Sequence, residues 1–135
     1  MTNVKPVPEG CSTATRMKID GPFAITGWDQ AAYDERSDGP PLTRATVRKT
    51  YAGGLAGEGV AELLTCGELA YMGNERVSGT LDGRAGTFVI QHGAWEGGQW
   101  GHVVPGSGTG ALAGLRGTIV LAHEQYSLDY ELGEA

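Results

Sequence analysis

YMGNERVSGTLDGRAGTFVIQH, from Tyr71 to His92, has the pattern of a single β-hairpin. Asp82-Gly83 sits between two alternating runs, and Asp-Gly is among the strongest signals for a two-residue type I′ turn. That turn predicts a hairpin with Leu81 opposite Arg84, Val77 opposite Phe88, Glu75 opposite Ile90 and Gly73 opposite His92. Side chains alternate along a strand, so Tyr71, Gly73, Glu75, Val77 and Leu81 share a face with Gly86, Phe88, Ile90 and His92. Two ionisable groups, Glu75 and His92, thereby fall on the apolar face. They lie one diagonal step apart, roughly 7–8 Å between backbones.

The flanking strands extend this face. Gly67-Glu68 suits a type II′ turn, which sets Leu64 opposite Tyr71 and Glu62 opposite Gly73. Glu62 then joins Glu75 and His92, and Gly73, lacking a side chain, leaves open space between them as the floor of a pocket. After His92 a turn at Gly97-Gly98 would place Trp95 opposite Trp100 and His102 on the outer face. A three-residue loop would instead set His92 against His102. Cross-strand aromatic pairing favours the former.

Composition bounds what such a sheet can be. The 135 residues suit one domain with a real core. Residues 1–12 read as a mobile leader and residues 13–135 as a single domain. Glycine is abundant, at 23 residues, without a collagen-like period, and the apolar alternation between glycines argues against disorder. A net charge of −6 and the lack of a basic stripe argue against a nucleic-acid partner. No apolar run is long enough for a membrane span, and MTNVKPVPEG has no signal-peptide core, so a cytoplasmic, membrane-free protein is expected.

Strand-like patterns also occur over Thr13–Trp28, Leu42–Tyr51, Val60–Cys66, Thr118–His123 and Tyr126–Leu132, with Asp29–Pro41 read as a polar loop. Pro22 implies an edge, a bulge or a break. In the second of these strands Ala45, Val47, Lys49 and Tyr51 look inward. About eight short antiparallel strands with no helix beyond a turn predict an all-β fold, a small closed barrel. A two-sheet β-sandwich is the alternative.

The segments GWDQAAYDE, LTRATVRKTYAG, GEGVAEL, ERVSGTLDGRAGTFVIQH, VVPGSGTGALAGLRG and YSLDYEL cover most of the chain beyond the leader. Together they resemble a bacterial family of unknown function with an allene-oxide-cyclase-like barrel. The resemblance implies an eight-stranded antiparallel barrel, often a homodimer. It also points to plant allene oxide cyclases and bacterial ring-closing cyclases, which hold a greasy substrate in a productive shape within the lumen. The chain departs from the family pattern at GAWEGGQWGH, which is shorter, and at His102, where a threonine is expected.

From the residues, Glu75, His92 and Glu62 are the candidate catalytic groups. A carboxyl in apolar surroundings has a raised pKa and can act as an acid beside a histidine base. Lys49, Leu64, Tyr71, Gly73, Val77, Phe88 and Ile90 would shape a bound molecule. The competing reading is a set of buried charges that satisfy one another. GSGTG lacks the strand, helix and lysine of a phosphate loop and reads as a structural corner. A metal site needs His92 and His102 together, which the favoured turn does not give. The expectation is therefore a cofactor-independent, metal-free cyclase or isomerase acting on a small hydrophobic molecule. A non-catalytic binding barrel and a solid-cored structural protein are the alternatives.

Overall fold

The alternation of buried and exposed residues along most segments leaves most strands with one apolar face, and the chain turns those faces inward. In the computed structural model, which describes residues 16–133, eight strands close into an antiparallel barrel in sequence order. They are β1 (Arg16–Asp34), β2 (Leu42–Tyr51), β3 (Leu55–Cys66), β4 (Ala70–Leu81), β5 (Arg84–Trp95), β6 (Gly98–Val103), β7 (Leu115–Ala122) and β8 (Gln125–Leu132). Closure rules out the sandwich. The leader at residues 1–12 lies outside the described residues.

The central hairpin has the register its turn dictates: Leu81 pairs with Arg84, Val77 with Phe88, Glu75 with Ile90 and Gly73 with His92. Asp82 and Gly83 both take positive φ, 49° and 83°, as a type I′ turn requires. Tyr130 in β8 donates a 2.5 Å hydrogen bond to the Asp82 carboxylate and ties this turn to the far side of the barrel.

Strand β1 serves two neighbours. Arg16–Pro22 pairs with β8, and Phe23 to Asp34 pairs with β2, so the partner changes at Pro22. Proline cannot donate to a ladder, which suits a residue at such a switch. A register shift between Ile25 and Gly27 bends the strand further. The expected loop at Asp29–Pro41 is thus half strand. Asp29 to Asp34 pairs along β2, with every one of its residues exposed. Likewise β3 starts at Leu55, because Gly57 and Gly79 let β3 and β4 approach closely where any Cβ would strike the opposite backbone.

The barrel has two unlike halves. At the end bearing the Asp82-Gly83 turn, Leu55, Leu81, Phe88, Leu115, Leu128 and Tyr130 fill the interior. The connection after β6 carries a single 3₁₀ turn, Gly110–Leu112, that plugs this end with Leu112. GSGTG is therefore the structural corner the sequence implied. The other end, ringed by the β3–β4, β5–β6 and β7–β8 turns, is open.

Candidate functional site

The open half holds a cavity of about 800 Å³. Its walls include Phe23, Ile25, Val47, Leu63 and Leu121, and Lys49, Tyr71 and His92 supply polar groups. Apart from tyrosines, the buried polar or charged side chains among the described residues are Thr43, Lys49, Glu75 and His92. Three of those four form one cluster.

Strand parity assembles it. Lys49 and Tyr51 face inward from β2, Tyr71 and Glu75 from β4, and His92 from β5. Glu75 is 0% exposed and accepts three hydrogen bonds. Lys49 Nζ and His92 Nε2 each lie 2.9 Å from Oε1, and the Tyr51 hydroxyl lies 2.5 Å from Oε2. Gly59 makes this possible: a Cβ there would collide with Glu75 Oε2 and come within 3.0 Å of the Tyr51 ring. The Lys49 ammonium also sits 5.0 Å from the centre of the Phe23 ring. On the cavity side the Tyr71 hydroxyl is 3.1 Å from His92 Nδ1.

Burial alone would push the Glu75 carboxyl up. The His92 hydrogen bond, the Lys49 charge and the Tyr51 hydroxyl outweigh it and hold the group below the usual carboxylate range. Glu75 is therefore an ionised acceptor and not the protonated acid expected from apolar surroundings. Burial and the Glu75 charge push both Tyr51 and Tyr71 up, so both phenols stay protonated. An ionised Glu75 requires a hydrogen on His92 Nε2, and in the tautomer that carries its hydrogen there Nδ1 accepts from the Tyr71 hydroxyl.

The other expected site residues are distributed differently. Glu62 is on the outer surface opposite Asn74, where the Thr46 hydroxyl donates to its carboxylate at 3.1 Å. The β3–β4 turn has three residues, Gly67 to Leu69, since Cys66 pairs with Ala70. That one-residue difference flips every β3 side chain. Leu63 consequently lines the cavity, while Leu64 is exposed on the outside. Gly73 is no open floor, because a Cβ there would meet the Glu62 carbonyl and, at 2.9 Å, the Leu63 Cα. Val77, Phe88 and Ile90 are buried in the closed half, below the cavity. Lys49, Tyr71 and His92 do line it.

The β5–β6 loop is Glu96-Gly97, with Trp95 opposite Gly98 and His92 opposite Gly101, two residues from the favoured register but of the same parity. His102 accordingly faces outward opposite Gln91, and His92 and His102 cannot share a metal ion. The expected Trp95–Trp100 pair does not form. Trp100 lies over Gly93, the one glycine on the outer face of β5, and stacks on His102 with ring centres 6.0 Å apart. Tyr51 is the member of the cluster that sequence reasoning passed over. Its parity with Lys49, two residues away, was the available signal, and Gly59 inside a strand marked the close approach.

Fold and site define a class: a small up-and-down β-barrel, half filled and half open, with a buried charged cluster beneath the open half. The chain belongs to the DUF3224 family of proteins of unknown function, whose model matches residues 19–133. It is similar to a protein of unknown function from that family in Shewanella oneidensis MR-1, known from its crystal structure. The two are 31% identical, the match covers 90% of this chain and 100% of the other, and the TM-score is 0.73. No curated protein matches the chain. Among the described residues no helix is long and apolar enough to cross a membrane.

Proposed function

We propose that the open half of the barrel binds a small hydrophobic molecule and holds its polar end against Lys49, His92 and Tyr71. The observation that carries this reading is the cavity itself: about 800 Å³ in volume, with apolar walls and a deep polar cluster. Ligand sites are typically cavities of roughly 300–1,000 Å³ with few, convergent polar groups. A solid-cored structural barrel would have this half filled as the other half is. Native mass spectrometry of the protein from its own host is the test. A co-purifying small molecule, lost when Leu63→Trp fills the cavity, supports the reading. A bare protein that also takes up no small apolar molecule offered to it refutes it.

Catalysis without a cofactor is the further step of the proposal, and the chain Tyr71–His92–Glu75 favours it. A proton leaving a carbon beside a substrate carbonyl can pass to the Tyr71 oxygen as the tyrosine's own proton moves to His92 Nδ1. Glu75, 2.9 Å from Nε2, stabilises the imidazolium so formed, and Lys49 faces the oxyanion left on the substrate. Return of the proton to another carbon completes an isomerisation. A ring closure would use the cavity to hold the substrate folded, as the resemblance to allene oxide cyclases implies. In this arrangement Glu75 is a positioning residue, since it is fully buried and does not line the cavity.

Self-association is the remaining part. Leu64, Met72 and Trp100 are exposed on the outer surface, in one row across β3, β4 and β6 with only Gly93 between the last two. A second copy of the chain would cover that row. Sedimentation velocity would show a dimer that Met72→Glu dissociates; a monomer at high concentration would refute it.

A further inference from the structure

The two ends of the cavity differ in charge. Its lining includes Glu68, Glu96 and Glu124 on the turns at the mouth, and Lys49 in the interior. The carboxylate that partners Lys49 is not presented to the cavity. Glu75 is wholly buried and spreads its charge over Lys49, His92 and Tyr51.

The polar groups of the upper wall satisfy one another. Trp28 Nε1–H donates to Gln30 Oε1 at 2.9 Å, and Gln30 Nε2 donates to Thr43 Oγ1 at 2.8 Å. Thr43 and Thr65 share a 2.6 Å hydroxyl contact. Lys49 is different. An ammonium has three donors, of which Glu75 takes one at 2.9 Å, and the face of Phe23 lies 5.0 Å away. Lys49 lines the cavity and is otherwise enclosed, at 7% exposure, so among the described residues its remaining donors are left for whatever occupies the cavity.

Resting on the reading that the cavity binds a small molecule, we infer that the ligand's deep end is an anionic oxygen group, a carboxylate or a comparable oxyanion, set against Lys49. Its apolar part then runs along Phe23, Val47 and Leu63 toward Trp28 and Trp95 at the mouth. An anion suits this place better than a neutral oxygen, because among the described residues the ammonium pairs with one carboxylate, Glu75, which it shares with His92 and Tyr51. The surroundings are also dry, where charge-assisted hydrogen bonds are stronger than in water. The glutamates of the mouth are on solvent-facing turns and are screened over a Debye length of about 8 Å at physiological salt. They do not bar an anion from the interior, but they disfavour the reverse orientation, with the head outward.

Calorimetry with 4-phenylbutyrate, 4-phenylbutan-1-ol and 4-phenylbutylamine separates the possibilities, because the three share one skeleton and differ in the head group. The acid is expected to bind the wild-type protein at least tenfold more tightly than the alcohol, with the amine weakest. In Lys49→Met/Glu75→Gln, which removes both charges together and leaves no lone buried ion, acid and alcohol should bind alike. The wild-type ranking stands as a test even if that variant fails to fold. Equal or tighter binding of the alcohol or the amine overturns the anion assignment while leaving the cavity reading intact. Discrimination that persists in the double variant overturns the role of Lys49. Binding of none of the three at millimolar concentration defeats the cavity reading, and this inference with it.

Discussion

Replacing Glu75 by glutamine tests the electrostatics of the cluster with the least change of shape. The amide oxygen can still accept from Lys49 and His92, and the amide nitrogen can donate to a reoriented Tyr51 hydroxyl, so hydrogen bonding survives. What disappears is the counter-charge of Lys49, an ammonium that is 7% exposed. Breaking a buried ion pair from one side costs about 3–5 kcal/mol, because the other charge stays behind in a dry place. Unfolding entropy of about 2.1 cal/mol/K per residue gives roughly 0.28 kcal/mol/K for a chain of this length. A loss of about 3 kcal/mol therefore lowers the melting temperature by about 10 °C. Lys49→Met alone should also destabilise, by stranding Glu75. The double variant Lys49→Met/Glu75→Gln should recover most of the loss, with a coupling of at least about 2 kcal/mol in the cycle. Differential scanning calorimetry on the four proteins gives the answer. A Glu75→Gln protein melting within about 2 °C of wild type would refute the claim that Glu75 neutralises a buried ammonium.

Other consequences follow from single features. Gly83 has φ 83°, and a Cβ added there would meet nothing within 4 Å, so Gly83→Val acts through backbone strain alone and should destabilise by at least about 1 kcal/mol in denaturant titration. Gly59→Ala pushes a methyl into the Glu75 carboxylate and the Tyr51 ring, and a loss of about 2 kcal/mol in the same assay is expected. Glu75 is held below its ordinary value, so its contribution to stability is complete above about pH 5 and is lost as pH falls below about 4, through the folded-state value. The denaturation midpoint of wild type should fall in that acid window more steeply than that of Glu75→Gln; parallel profiles would refute the assignment.

The parts of the fold legible in the sequence are those set by local chemistry. Asp82-Gly83 admits essentially one hairpin turn, and the register of β4 on β5 follows from it down to Gly73 and His92. Lys49 and Tyr51 faced inward by parity alone. The failures occur where a turn of neighbouring length has nearly the same local signal. Gly67 can open a two-residue or a three-residue turn, and the choice of three, with Leu69 N–H bonding back to the Cys66 carbonyl, moved Glu62 out and Leu63 in. Asp29 to Asp34 looked like a loop because its strand is exposed on most of its surface, and only pairing with β2 reveals it. The sign of the Glu75 shift was illegible for a related reason. It depends on His92 Nε2 and the Lys49 ammonium, from two other strands, both reaching one oxygen of the carboxylate, with the Tyr51 hydroxyl adding to them across Gly59.

Entry of a small molecule into the open half, where it would meet Lys49, Tyr71 and His92, can be followed by two-dimensional NMR. The protein would be titrated with 4-phenylbutyrate, and backbone and side-chain resonances followed. Shifts concentrated at Lys49, Leu63, Tyr71 and His92, with Leu55, Leu112 and Leu128 in the closed half unmoved, are expected. Saturable shifts confined to the outer row of Leu64, Met72 and Trp100, or no shifts at all, would contradict it.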